Sequence, residues 1–134
     1  MFAGQLDGQV DLGGVTYSLR PQEDGAQVCV AKLDGNAQYV YANTTGFAYF
    51  RGLTADGRGN AAASGTHGNG SFPVMDEYRS DGSLFREVQS ETLIPLEQEG
   101  AAGPVLVDWP GNLYWTFSIG VDNFASYLVK LRAN

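Results

Sequence analysis

Residues 104–119 read Pro-Val-Leu-Val-Asp-Trp-Pro-Gly-Asn-Leu-Tyr-Trp-Thr-Phe-Ser-Ile, and few folds accept such a stretch. Two apolar runs flank Pro110-Gly111-Asn112, where proline pre-sets φ near the turn value and glycine accepts a positive φ, so the stretch is expected to be a β-hairpin. In the second run, period-two alternation puts Leu113, Trp115, Phe117 and Ile119 on one face and Tyr114, Thr116 and Ser118 on the other. The first face is the expected core. Both tryptophans lie in this hairpin. Trp115 is expected inside, and Trp109, beside the turn, outside.

The same pattern recurs along the chain. Gln9–Leu12 and Val15–Leu19 flank Gly13-Gly14, and Gln27–Leu33 and Ala37–Ala42 flank Asp34-Gly35-Asn36. Each pair reads as a hairpin. In the second, Val28 and Val30 fall on one face and Cys29 and Ala31 on the other, as in a strand buried on both sides. Residues 47–53 give a further strand, and residues 74–79 and 84–89 pair around Asp81-Gly82. In that hairpin Asp76 and Glu77 are expected to pair with Arg79 and Arg86. Residues 92–96 read as a short edge strand because Pro95 cannot donate to a ladder. Residues 97–103 read as a linker, residues 121–126 as one helical turn, and residues 127–131 as the last strand.

Eighteen glycines in 134 residues fit many tight turns between short strands. The fold class is therefore all-β: a single antiparallel domain over residues 1–134, a sandwich or barrel of jelly-roll type with about ten strands. Residues 54–71 carry five glycines and almost no apolar bulk, and are expected to form a long exposed loop.

Composition excludes several functions. Fifteen acidic and eight basic residues give a net charge of −7, which opposes binding to nucleic acid or an anionic membrane. The lone cysteine, Cys29, can form no intrachain disulfide. The first residues show neither a basic segment nor an apolar one, so the chain is expected to be made in the cytoplasm without a signal peptide. The single histidine, His67, lies in the glycine-rich segment and Cys29 in mid-strand, which makes a catalytic dyad or zinc site a poor reading. Asp56-Gly-Arg-Gly-Asn60 echoes a calcium loop, but Arg58 stands where a third ligand belongs. No catalytic residues, metal or cofactor are expected.

The expected function is a non-enzymatic structural or interaction protein, a subunit of a larger assembly such as a bacteriophage virion, in capsid decoration or the tail. Its partners are then protein subunits, copies of itself or other components of a particle. The chain ends and the 54–71 segment supply the candidate contacts: Met1, Phe2 and Asn134, with Asp56, Arg58, Asn60, His67 and Asn69. A carbohydrate-binding module is the alternative, with Trp109, Tyr39, Tyr41 and Tyr49 as stacking residues for a glycan. A small hydrolase acting through paired carboxylates is the third reading, with no local motif to say which two.

Overall fold

The computed structural model of the chain describes residues 1–6, 8–11, 16–19, 27–45, 47–67, 72–94, 99–120 and 125–133. Among the described residues, twelve strands and one helical turn follow one another. They are β1 (Phe2–Leu6), β2 (Gly8–Asp11), β3 (Thr16–Leu19), β4 (Gln27–Leu33), β5 (Tyr39–Thr45), β6 (Phe47–Ala55), β7 (Ala61–His67), β8 (Phe72–Tyr78), β9 (Leu84–Gln89), α1 (Ser90–Leu93), β10 (Gly100–Val107), β11 (Leu113–Ile119) and β12 (Ala125–Leu131).

Every described pairing is antiparallel, as the short runs and tight turns require. The sheets have the orders β1-β4-β5, β6-β7-β8-β9 and β10-β11-β12, with β2-β3 as a separate ribbon. The chain is all-β, and its layers are sandwich-like rather than a closed barrel.

The four-stranded sheet is the middle layer, because its two faces feed two different cores. On one side Ala61, Ala63, Val74 and Tyr78 meet Val28 and Val30 of β4, with Phe47 filling the space between. On the other, Ala62 and Met75 meet Val105 of β10 and Leu113, Trp115, Phe117 and Ile119 of β11. Alternation along β7 and β8 thus sends successive side chains into opposite cores. The predicted inner face of β11 is buried at every second position, and Val28 to Ala31 of β4 are all fully buried.

Of residues 54–71, expected as a loop, residues 54–67 behave otherwise, and residues 68–71 lie outside the described residues. Residues 54–55 end β6, residues 56–60 make a tight turn, and residues 61–67 are β7, whose first six residues are all buried. The cause lies in how closely backbones approach. A Cβ on Gly52 would stand 3.1 Å from the Pro104 Cα of β10, and Ser64 Oγ donates to Gly103 O of the same strand at 2.8 Å. A Cβ on Gly65 would run into the Phe47 ring and the Tyr49 carbonyl. Small residues that read as loop composition are what a strand squeezed between two layers can hold.

Three further expectations change. Of the edge strand expected over 92–96, residues 92 and 93 belong instead to the helical turn α1 and residues 95–96 lie outside the described residues; Ile94 N–H bonds to Ser90 O at 2.9 Å and Thr92 Oγ1 donates to Gln89 O at 2.7 Å. Residues 100–103 open β10 instead of linking to it, and β10 is irregular between Ala102 and Val105, where Gly103 and Pro104 sit. The helical turn expected over 121–126 falls mostly outside the described residues, and Ala125 and Ser126 begin β12.

Trp115 is fully buried, lies tilted against Phe117 with ring centres 4.6 Å apart and joins the core between the middle and outer sheets, whereas Trp109 is 98% exposed. Trp115→Ala is expected to lower the unfolding free energy by about 3–5 kcal/mol. Trp109→Ala should change it by less than about 0.5 kcal/mol. Urea denaturation of the two variants checks the pair.

Candidate functional site

Four of the hairpins turn in the same way. Asp34 N–H bonds to Gln38 O, Asp56 to Asn60 O, Arg79 to Ser83 O and Asp108 to Asn112 O, at 2.8–3.0 Å. In each, the fourth residue returns its N–H to the first carbonyl: Ala37, Gly59, Gly82 and Gly111. All four of these residues have positive φ, which three meet with glycine and the fourth with Ala37 at φ 60°.

Aspartate fixes these turns. Asp34 Oδ1 accepts from Asn36 and Gln38 N–H, and Asp56 Oδ1 from Arg58 and Asn60 N–H, at 2.8–2.9 Å. Asp56-Gly-Arg-Gly-Asn60 and Asp108-Trp-Pro-Gly-Asn112 are the same device. In both, the closing asparagine donates backbone and side-chain N–H to the opening aspartate, at 2.7–2.9 Å. Its Oδ1 then ties the turn to the next element, Asn60 to Ser80 N–H at 3.1 Å and Asn112 to Ala133 N–H at 3.2 Å. The resemblance to a calcium loop thus has a different origin, since the Asp56 carboxylate already serves the turn. At Asp108 the bonds from Asn112, joined by one from Tyr114 OH, hold the carboxyl below its usual pKa.

These turns gather at one end of the molecule. Lys32 Nζ reaches both Gly59 O and Ser80 O, joining the β4 end to the next two turns. Between turns 56–60 and 108–112 lies a cleft of about 390 Å³ whose walls include Arg58, Asp108 and Trp109. A second cleft, of about 240 Å³, is lined by Arg58, Arg79 and Phe85 among others. The Arg79 guanidinium lies 4.6 Å from the Phe85 ring centre, and that of Arg86 5.7 Å. Arg86 also binds Glu77 at 2.5 Å, while Lys130 lies over the Tyr114 ring. Counting Arg132, six of the eight basic residues stand here, interleaved with the turn aspartates, with Glu77 and, one rung further along β8–β9, with Asp76 and Glu87.

The structure assembles some of the sequence-predicted residues and separates others. Asp56, Arg58 and Asn60 share the hairpin end with Trp109. His67 closes the opposite end of β7, paired with Phe47 and Phe72. Met1 is exposed, with its sulfur 4.0 Å from Tyr41 OH, and Phe2 pairs through its backbone with Ala31. Asn69 and Asn134 lie outside the described residues. The tyrosines form no shared platform. Tyr41 is 6% exposed and packs its ring against Gly82, where a side chain would collide with it, and burial with the nearby Asp81 raises its pKa. Tyr39 OH accepts from Ala42 N–H, and only Tyr49 is open, on β6. Six residue steps along the strand separate Tyr49 from Ala55 beside the cleft, or about 20 Å.

The expected charge pairing in β8–β9 holds for Glu77 with Arg86 and fails for Asp76. Asp76 faces the inner core, is 5% exposed, and accepts from Tyr78 OH at 3.0 Å. Glu87 is its direct cross-strand partner, so two carboxylates do stand side by side at one cleft. Burial raises the Asp76 pKa to about 6, with the Tyr78 bond opposing and the Glu87 charge adding. Among the described residues no three His, Cys, Asp or Glu side chains cluster as a metal set.

Compared with models of known protein families and with curated proteins, the chain matches none.

An acid whose folded pKa lies above its unfolded value binds the proton more tightly when folded. Its contribution is therefore present below pH 4 and is lost as pH rises through 6. Asp76→Asn is expected to gain on the wild type between pH 4 and pH 7 by up to about 3 kcal/mol. Denaturant titrations of both proteins at the two pH values check this.

Proposed function

We propose that the chain is a non-enzymatic interaction protein, a subunit of a larger assembly of the kind found in bacteriophage capsid decoration or tails, and that it docks through its hairpin end. The observation that carries the reading is Trp109. A tryptophan 98% exposed on a turn braced by Asp108, Asn112 and Tyr114 is an apolar anchor carried on a backbone with little ordering entropy left to lose. Arg58 flanks it across the cleft and takes part in no ion pair among the described residues. Tryptophan and arginine are the side chains that most often dominate protein interfaces. The acidic remainder of the chain suits such a subunit, because it opposes adhesion to nucleic acid.

Size-exclusion chromatography with light scattering over a concentration series tests the reading. Concentration-dependent assembly is expected, with a return to monomer in Trp109→Ala and in Arg58→Glu at unchanged unfolding midpoints. A strict monomer at the highest soluble concentration would count against it. The exposed Trp109 ring also favours a glycan as a second reading. A glycan array probed with the wild type and Trp109→Ala separates the two, since a protein interface gives no selective glycan signal.

A further inference from the structure

We propose that the cleft between β5 and the β8–β9 hairpin is a cation site, which takes a hard divalent ion of the calcium class between the Asp76 and Glu87 carboxylates. The two residues are opposite each other on antiparallel strands, so their side chains leave the same face with Cβ atoms about 4.5–5.5 Å apart. Both line a cleft of about 360 Å³ whose other walls include Asn43, Thr45, Tyr78 and Ser83. Asp76 is nine-tenths buried or more, and its Oδ1 has no partner among the described residues. A buried carboxylate oxygen left without a donor carries a large desolvation cost, which a bound cation removes.

The rim says what kind of guest fits. Asn43 Nδ2 donates to Gly82 O, Thr45 Oγ1 to Val28 O, Tyr78 OH to Asp76 and Ser83 Oγ to Asp81. Each of these hydroxyl protons is engaged by a protein acceptor and Asn43 keeps one N–H unengaged, so the walls offer the cleft more oxygen lone pairs than donors. Glu87 is half engaged, one oxygen accepting from Gln89 Nε2. A sugar needs donors as well as acceptors, and an anion is repelled by the carboxylates. A hard cation needs oxygens alone, and the cleft has room for the waters that complete a shell of six to eight. With only two carboxylates, the affinity is expected to be weak, with a dissociation constant on the order of 10⁻⁴–10⁻³ M.

Terbium serves as the probe, because Tyr78 is hydrogen-bonded to Asp76 and can sensitise its luminescence. Titrating the full chain with terbium is expected to give a saturable signal that calcium displaces. That signal should weaken at least tenfold in affinity in Glu87→Gln and vanish in Asp76→Asn. Calcium should also raise the unfolding midpoint of the wild type and leave that of Asp76→Asn unmoved. Glu87 is exposed, so its variant folds whatever Asp76→Asn does. No saturable signal, or the same affinity in wild type and Glu87→Gln, would overturn the proposal. So would displacement of terbium by butylammonium and not by calcium.

Discussion

The architecture depends on how closely β10 lies against the middle sheet. At Gly52, Ser64, Gly103 and Pro104 the two layers meet backbone to backbone, and the Ser64 hydroxyl bonds the Gly103 carbonyl across the gap. Stacked sheets ordinarily stand about 10 Å apart, with side chains filling the space. Here that space narrows to almost nothing at one point and opens beside it to admit Trp115, Phe117 and Met75. The contact fixes where the large side chains can go, and β7 must be built from alanine, serine and glycine as a result.

Pinning the layers also decides what the turns can do. Hairpins leaving a double-sided core in the same direction bring their tips together, and each tip is stiffened by an aspartate that accepts turn N–H groups or, at 79–83, by Asp81 bonded to Ser83. The turn carboxylates thereby serve their own backbones, and the end presents a tryptophan at its edge on turns held by cross-links to neighbouring elements. Loops on a rigid scaffold are where binding residues usually stand.

Among the described residues, the buried polar side-chain atoms left without partners lie mostly in the middle layer. Thr66 Oγ1 and Asp76 Oδ1 are on β7 and β8, and Trp115 Nε1 faces that sheet from the layer beyond. Central strands buried on both faces have no solvent-facing side on which to place polar side chains, so each one they carry must find a partner within the core. Asp76 shows the consequence most clearly, with a carboxyl held above its normal pKa by burial.

Much of the fold was legible in the sequence. The alternation of β11, the doubly buried β4, the Asp-Gly hairpins and the split between an inner Trp115 and an outer Trp109 all follow from local pattern, because period two and turn chemistry act over a few residues. The repeated Asp-x-x-Gly-Asn pentad at 56–60 and 108–112 was also there to be read, and would have placed a turn where a long loop was expected. Other features depended on distant partners. Ala61–Thr66 is a strand only because β4 and β10 close on its two faces, Tyr41 is buried only because Gly82 arrives beneath its ring, and Asp76 meets Glu87 only through the β8–β9 register. The sequence by itself determined the strands that carry an apolar alternation and which of their residues face inward, since both depend on the pleat. Which small residues became core, and which charged ones gathered at one end, was decided by the tertiary structure, since burial is set by what packs from outside the element.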